Sequence, residues 1–555
     1  MASKELSTKT LVRRLANLVK GLWLQYVLAV GGAVLGFLMT ILIPGLVIRL
    51  AWQALEGQAP HFSFVVILFA LGLMRGILRY IEHFFGHYVA FKTLYDFRCM
   101  VFAKLRRLAP TKLDQQDSGN MLKMIGEDIE AMEVFFAHTL PPVITASLVT
   151  IILAFYYWSV SPIIAVISLL VYAILAIFLP RTQARQLQPL LQKQSQTRKA
   201  YMSHFSDSLH GMKELLQFGQ IKSDLEHLNK ESESVNAREK EVAQAQHLQA
   251  SLSFLVIGLA IMLVAVLAIS QASRGQVSLV SATTIIVVFS TSFAPYLELS
   301  RLPLGFKRAM TAARQVFELL DEKEFDKSGQ SFDETIDSIV LEDVSFAYEN
   351  RNQSIFNHLS VAFENHNIIG LVGQSGSGKS TLMKLLMRWY DNTKGEILVN
   401  QKELTTLSGR DMQNHIAYIP QIPQVFSQSI RENLTLGNPD ITDDMILEVA
   451  TKCRIKDKIL STKNGLDTLL NSEQVLFSAG ELQRLELARA LLKKADCYIF
   501  DEPTSNLDSL NEAAFLQVIR EHCKGYVFLI SHRLSTVAAS DVIYKVENGT
   551  LTKIQ

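Results

Sequence analysis

At about 150 residues per domain, the 555 residues of this chain leave room for three or four domains, and 54 Lys and Arg against 53 Asp and Glu give a formal charge of +1. That balance offers no net attraction to a polyelectrolyte and excludes a histone-like or nucleic-acid-coating role. Apolar residues at 49%, charged residues at only 19% and a mean hydropathy of +0.20 place part of the chain in lipid. Cys99, Cys453, Cys497 and Cys523 have no paired short spacing. A zinc ribbon, a CxxC redox centre and a disulfide scaffold are thereby disfavoured, and the thiols read as small buried hydrophobes.

Nearly all long apolar runs lie before about residue 305. Six stretches are long enough to cross a bilayer, near 22–49, 62–90, 134–159, 161–181, 251–272 and 279–304. The start carries Lys4, Lys9, Arg13, Arg14 and Lys20, shows no small-residue cleavage site, and runs into a span too long for a signal peptide, so it reads as an uncleaved cytosolic segment. The loops after spans two and four hold Lys92, Arg98, Lys104, Arg106, Arg107, Arg181, Arg185 and Arg198, whereas the first loop holds little beyond Glu56. The positive-inside rule then puts both termini in the cytosol. The connections 91–133 and 182–250 are polar but rich in helix formers with apolar residues three and four apart, which predicts helices continuing out of the membrane. Each contains a punctuated patch, Asp114 to Asn120 and His210 to Glu214, suited to the tip of a helical hairpin.

Past an acidic linker at 321–337, Ile339 to Phe346 reads as a strand and Ile368 to Val372 as a buried one. The buried strand leads into Gly373-Gln374-Ser375-Gly376-Ser377-Gly378-Lys379-Ser380-Thr381, a GxxxxGK[ST] phosphate loop followed by a helical pattern. Glycines let backbone N–H groups wrap phosphates, Lys379 brings a point charge to the β- and γ-phosphates, and the Ser380 hydroxyl reaches Mg2+. A second strand, Cys497 to Phe500, ends in Asp501-Glu502, one carboxylate for Mg2+ and one placed to polarise an attacking water. His532 follows the apolar strand Val527 to Ile530 and is expected to switch hydrogen bonds at the γ-phosphate. Gln421 is a candidate for metal or water, and Tyr348 for stacking on a purine.

In this order, Tyr348, the phosphate loop, Gln421, Phe477-Ser478-Ala479-Gly480-Glu481, Asp501-Glu502-Pro503-Thr504, Ser505-Asn506-Leu507-Asp508 and His532 resemble the nucleotide-binding domain of ABC ATPases over about 338–555. Six spans ahead of one such domain resemble a type I ABC exporter half-transporter. The expected organisation is an α-helical six-span domain over 1–320, the linker, and an α/β P-loop domain over 338–555. The resemblance implies ATP and Mg2+ as cofactors, coupling helices at the two punctuated patches, and a dimer holding two ATP molecules between facing domains.

One motif departs from that family. Its LSGGQ signature donates a serine hydroxyl and glycine amides to ATP on the other subunit, and here the residues are Phe477-Ser478-Ala479-Gly480-Glu481. Ala479 adds a methyl that would be costly in left-handed backbone, while Glu481 for glutamine is the milder change. The chain's own Lys379, Asp501, Glu502 and His532 are intact, so the asymmetry favours a heterodimer whose partner half-transporter supplies an intact signature.

Span two carries Arg75, Arg79, His83 and His87 four residues apart, with Glu82 beside them. Charges in a membrane helix are costly and must face protein, water or ligand. At about 1.5 Å per residue from Phe62 the stripe falls in the inner half of the span. It is a candidate pocket for an anionic or metal-containing small molecule, imidazole being an iron ligand and arginine a partner of carboxylates. The string Arg79 to Phe91, with Leu105 to Pro110 and Ser118-Gly119, is similar to the second span of the CydC family, subunits of the bacterial CydDC heterodimer. That similarity implies a link to cytochrome bd assembly, a thiol (cysteine, glutathione) or haem as substrate, His87 as a candidate haem ligand with Arg75, Arg79 and His83 as neighbours, and a bacterial inner membrane. The competing expectations are a lipid or hydrophobic-drug exporter, for which Phe254, Phe289, Phe293 and Tyr296 could line a cavity, and an ATP-gated channel. Trp158, Glu298 and Arg301 are further cavity candidates.

Overall fold

A computed structural model describes residues 6–57, 62–112, 118–300, 302–324, 328–348, 354–364, 368–470, 477–505 and 507–554, and divides the chain into two compact units, Met1–Lys323 and Glu324–Gln555. Among the described residues the first unit has six helical stretches long and apolar enough to cross a membrane: Thr8–Leu55, Phe62–Leu108, Gly119–Val160, Pro162–His210, Ile221–Ser273 and Leu279–Leu299. Phe62–Leu108 is a continuous helix of 47 residues and Ile221–Ser273 one of 53. Each exceeds the roughly 20 residues a bilayer needs, so the polar connections are extensions of the spans.

The spans pack on one apolar stripe each. Val34, Val149, Tyr157, Tyr172, Val264 and Phe289 are buried together, while Phe69, Phe155 and Val266 are exposed on other faces. In a membrane those outward faces meet acyl chains, which removes the usual penalty for exposing them. Phe289, Phe293 and Tyr296 belong to the packed interior, and Phe254 and Trp158 are exposed. Tyr172 stacks on Tyr296 at 4.1 Å between ring centroids and shares a 2.6 Å hydrogen bond with Ser292. Thr150 and Tyr296 share another at 2.7 Å. These pairings satisfy hydroxyls that lipid could not.

A second cluster joins the N-terminal helix Thr8–Leu18, through Leu11 and Leu15, to Phe97, Phe135, Phe136 and Val316. Arg14 closes that contact with an ion pair to Asp321 and a position over the Phe317 ring. At the second hairpin tip, Gly211 ends Leu179–His210 and the short helix Met212–Gln217 follows, with Gly219 at φ +68° turning the chain into the fifth stretch. Asp114 to Asp117 of the first tip lie outside the described residues.

In the second unit, strands β1 (Ile339–Phe346), β2 (Phe356–Phe363), β3 (Ile368–Val372), β4 (Lys394–Val399), β5 (Lys402–Glu403), β6 (Ile416–Ile419), β7 (Cys497–Asp501), β8 (Tyr526–Ile530), β9 (Val542–Glu547) and β10 (Thr550–Lys553) form two sheets. One is antiparallel in the order β2-β1-β4-β5; the other runs β10-β9-β3-β8-β7-β6, parallel from β9 to β6. Continuous burial of β3, β7 and β8 follows from cover on both faces, the antiparallel sheet with the helix Lys379–Leu386 on one and helices on the other, which is why these strands are unbroken apolar runs.

Two expectations need correction. The segment expected as linker up to residue 337 is partly core: Phe332 and Ile336 are buried with β1 and β4, and Gln330 bridges Leu407. Cys99 is exposed, whereas the other three thiols are buried.

Candidate functional site

Sheet topology brings the carboxyl ends of β3, β7 and β8 side by side. From β3 the chain turns through Gly373, Ser375 and Gly376 to Gly378 and starts the helix Lys379–Leu386. Gly376 and Gly378 have φ +81° and +106°, the left-handed region that glycine occupies without cost. A Cβ on Gly378 would also fall 2.8 Å from Ile355 Cγ2 and 2.9 Å from Phe356 Cζ. Lys379 Nζ donates to the carbonyl oxygens of Gly373 and Gln374, both at 2.9 Å, so its charge is held inside the loop. Burial lowers its pKa, against the pull of Glu502 and Asp501. The Thr381 hydroxyl shares a 3.1 Å hydrogen bond with Tyr348, whose ring lies edge-on to Phe346 and Tyr390.

Asp501, at the end of β7, is pushed above the usual carboxylate range by burial, partly offset by hydrogen bonds from Ser380 and Tyr418. The latter bond measures 3.2 Å. Glu502 then takes φ +51°, uncommon for a residue with a side chain. This turn places its carboxylate between Gln421, whose Nε2 donates to Oε2 at 2.8 Å, and His532, whose Nδ1 is 3.3 Å from Oε1. The loop fits a nucleotide phosphate: a side chain is missing where Gly376 faces open space, and Ser377 Oγ is buried without a partner. The Ser380 hydroxyl and Asp501 carboxylate form an all-oxygen donor pair of the kind Mg2+ takes. Gln421 is engaged with Glu502 rather than with these two.

Ser478 caps the helix Ala479–Lys493 in a reciprocal box: its hydroxyl accepts from Glu481 N–H, and the Glu481 carboxylate accepts from Ser478 N–H at 2.7 Å. Ala479 is the first helical residue and is absent from the positive-φ residues, so the steric cost expected for a left-handed alanine does not arise. Glu481 places its carboxylate on the helix N-terminus, with Lys458 Nζ 3.8 Å away. A Cβ on Gly480 would lie 2.8 Å from Leu507 Cδ2, which that side chain would have to move to admit.

In the membrane unit, Gly32 lets the first span approach the second until a Cβ would stand 3.0 Å from Leu78 O and 3.1 Å from Glu82 N. Beside this contact lies a cavity of about 400 Å³ lined by Arg79, Glu82, His83, His87, His138 and Glu298, among others. Arg79 Nη1 donates to both carboxylate oxygens of Glu82 at 2.8 Å, three residues on along the same helix. His83 and His87 lie edge-to-face at 4.4 Å, and His87 lies 5.6 Å from the His138 ring. Arg75 is exposed and does not line the cavity, so the structure separates it from the other three candidates. Arg301 lies outside the described residues.

Residues 24–296 match the family description "ABC transporter transmembrane region" and residues 356–505 match "ABC transporter". The chain is 32% identical over 505 residues to a "Probable ABC transporter ATP-binding/permease protein" of Haemophilus influenzae, covering 89% of this chain and 90% of that one. It is 28% identical over 498 residues to the "ATP-dependent lipid A-core flippase" of Escherichia coli K12 and to that of Salmonella typhimurium, covering 88% of this chain and 84% of each. The chain belongs to the ABC transporter family. It is a multi-pass membrane protein in which ATP hydrolysis is coupled to transport.

Within this ABC transporter, two groups escaped sequence reasoning. The first is Glu512, buried at 5% exposure, which accepts from Ser535 at 3.0 Å and from Thr536, and pairs with Arg533 at 3.5 Å. Arg533 in turn donates to Ser505 O at 2.9 Å and Leu507 O at 3.0 Å. One carboxylate thus ties the segment after Glu502 to the segment carrying His532; Asn506 between them is outside the described residues. The second is the pair Glu133 and His138 from the third stretch, which meets His87. The available signal was His138, an ionisable residue inside the predicted third span; Glu133 lies just ahead of that span.

Proposed function

We propose that this chain is one half of a heterodimeric ABC exporter with both termini in the cytosol of a bacterial cell, and that its substrate is an anionic or metal-bearing small molecule, haem or a low-molecular-weight thiol. The observation that carries the substrate reading is the inner cavity, in which Arg79, His83, His87 and His138 bring imidazoles and a guanidinium to one wall. Such a wall suits a carboxylate-bearing metal complex through arginine pairing and imidazole ligation. Similarity of span two to the CydC family supports the same reading. A lipid exporter is the second reading, favoured by the relatives named lipid A-core flippases.

In the ATP site, Lys379 and the loop amides would hold the β- and γ-phosphates, Ser380 and Asp501 would hold Mg2+, and Glu502, oriented by Gln421 and His532, would take the proton from water. When bound, Mg2+ neutralises charge on the phosphates. The heterodimer is supported by the Glu481 cap: the helix N-terminus that would receive the partner's γ-phosphate already holds an anion. Replacing Glu481 by glutamine and Ala479 by glycine should tighten ATP binding at the partner's site about 2- to 5-fold, the equivalent of 0.3–1 kcal/mol at a helix end. Equilibrium binding of a fluorescent ATP analogue measures this, and an unchanged affinity removes the argument from Glu481.

The substrate is tested on the chain co-purified with its partner in nanodiscs, by titrating haemin, glutathione, cysteine and lipid A while following ATPase activity and the Soret band. Haemin is expected to stimulate hydrolysis and shift the band, with His87→Ala losing both. Stimulation by lipid A alone selects the second reading. A stable, substrate-stimulated homodimer of the chain expressed without a partner overturns the heterodimer.

A further inference from the structure

We propose that His87, Glu133 and His138 form a three-ligand site for a first-row divalent transition-metal ion, opening on the inner cavity of the membrane unit. The ligand atoms of the three residues lie within 4.8 Å of one another. His87 Nδ1 stands 3.3 Å from Glu133 Oε1. Bonds of about 2.0–2.2 Å in a tetrahedron place neighbouring donor atoms about 3.4 Å apart, so this pair already has the separation a metal requires. His87 Nδ1 is also shielded from solvent and takes no hydrogen bond there, despite the nearby carboxylate. A buried imidazole nitrogen without a partner costs free energy, and a cation between nitrogen and carboxylate removes that cost.

The two elements hold the ligands independently. His87 lies on the long helix Phe62–Leu108, and Glu133 and His138 begin and end the short helix Glu133–His138. There the chain breaks step at Thr139, whose hydroxyl donates to Val134 O at 2.8 Å before the next helix starts at Leu140. Two imidazoles and one carboxylate are the ligand set of zinc sites that keep a fourth position open. His87 and His138 both line the cavity, so that position faces a space that also carries Arg79, Glu82, His83 and Glu298. A water or an anionic substrate atom would complete the shell. Imidazole with carboxylate suits Zn2+, Co2+ or Ni2+ over Mg2+ or Ca2+. The site does not depend on haem being the substrate, although both would use His87.

The test uses untagged chain co-purified with its partner in nanodiscs, titrated with Co2+ and followed by visible absorbance, with Zn2+ displacement afterwards. One Co2+ per copy of this chain with the intense bands of a four-coordinate ion is expected. Glu133→Gln and His138→Ala should each weaken binding at least about 10-fold, and His83→Ala should leave it within about 3-fold. ATP-analogue binding confirms that each variant is folded, and His138→Gln replaces any variant that is not. Absence of stoichiometric Co2+, or binding unchanged by Glu133→Gln and His138→Ala, overturns the site. Loss through His83→Ala with His138→Ala silent overturns it as well. Co2+ binding without a haemin response leaves this site standing and sinks only the haem reading; haemin binding without Co2+ does the reverse.

Discussion

Replacing Glu502 by glutamine is expected to lower ATP turnover about 100- to 10,000-fold while leaving ATP affinity within a factor of a few. The amide keeps the shape and the hydrogen bond to Gln421 but cannot accept a proton from water. Geometry ranks Glu502 above Asp501 for that role: Asp501 faces Ser380 and Tyr418, whereas Glu502 is held between Gln421 and His532. Its left-handed backbone, at φ +51°, costs about 1 kcal/mol and is retained where it aims the carboxylate. Glu502→Gly should therefore be as inactive as Glu502→Gln, yet no less stable in thermal unfolding. Steady-state ATPase and nucleotide binding on the purified transporter decide the matter. Turnover retained in Glu502→Gln would mean that the proton goes elsewhere.

Replacing Glu512 by leucine is expected to destabilise the ATP-binding unit by about 1–3 kcal/mol, the usual cost of leaving buried donors without their acceptor. Four groups lose this acceptor at once: the hydroxyls of Thr504, Ser535 and Thr536 and the guanidinium of Arg533. Arg533 is the one that reaches the Ser505 and Leu507 carbonyls, so the loss should spread to the segment behind Glu502. Glu512→Gln, which keeps the hydrogen bonds and drops the charge, should cost less. Glu512→Leu with Arg533→Met should recover little of the stability, because the hydroxyls still lack their acceptor and the Ser505 and Leu507 carbonyls lose their donor. Thermal unfolding of the four proteins separates these terms, and an unchanged midpoint in Glu512→Leu would show that the network carries no load.

Local chemistry was legible wherever a residue's neighbours in space are its neighbours in the chain. The strand, glycine turn and helix around Lys379 depend on backbone torsions within nine residues, and so were readable down to the glycines at positive φ. The Arg79–Glu82 pair spans less than one helical turn and was equally readable. Apolar runs of 20 residues reported the spans for the same reason.

Contacts between distant segments were not legible, and they decided several roles. The position of the Glu481 carboxylate on the Ser478 amide is visible only in the folded capping box. The aromatics of the sixth stretch could have lined a cavity or a core; packing against Tyr157 and Tyr172 made them core. Arg75 shares a sequence period with Arg79, but a stripe on a helix turns slowly, and only the neighbouring first span shows where the stripe leaves the cavity.

By itself, then, the sequence determined a membrane half with six spans and a phosphate-binding α/β half, because hydrophobic length and glycine torsions are local properties. Only the tertiary structure decided which charges meet across elements: Glu502 with Gln421 and His532, Glu512 with Arg533, and His87 with Glu133 and His138. Such meetings depend on how helices and strands far apart in the chain pack, and no periodicity along the chain encodes that distance.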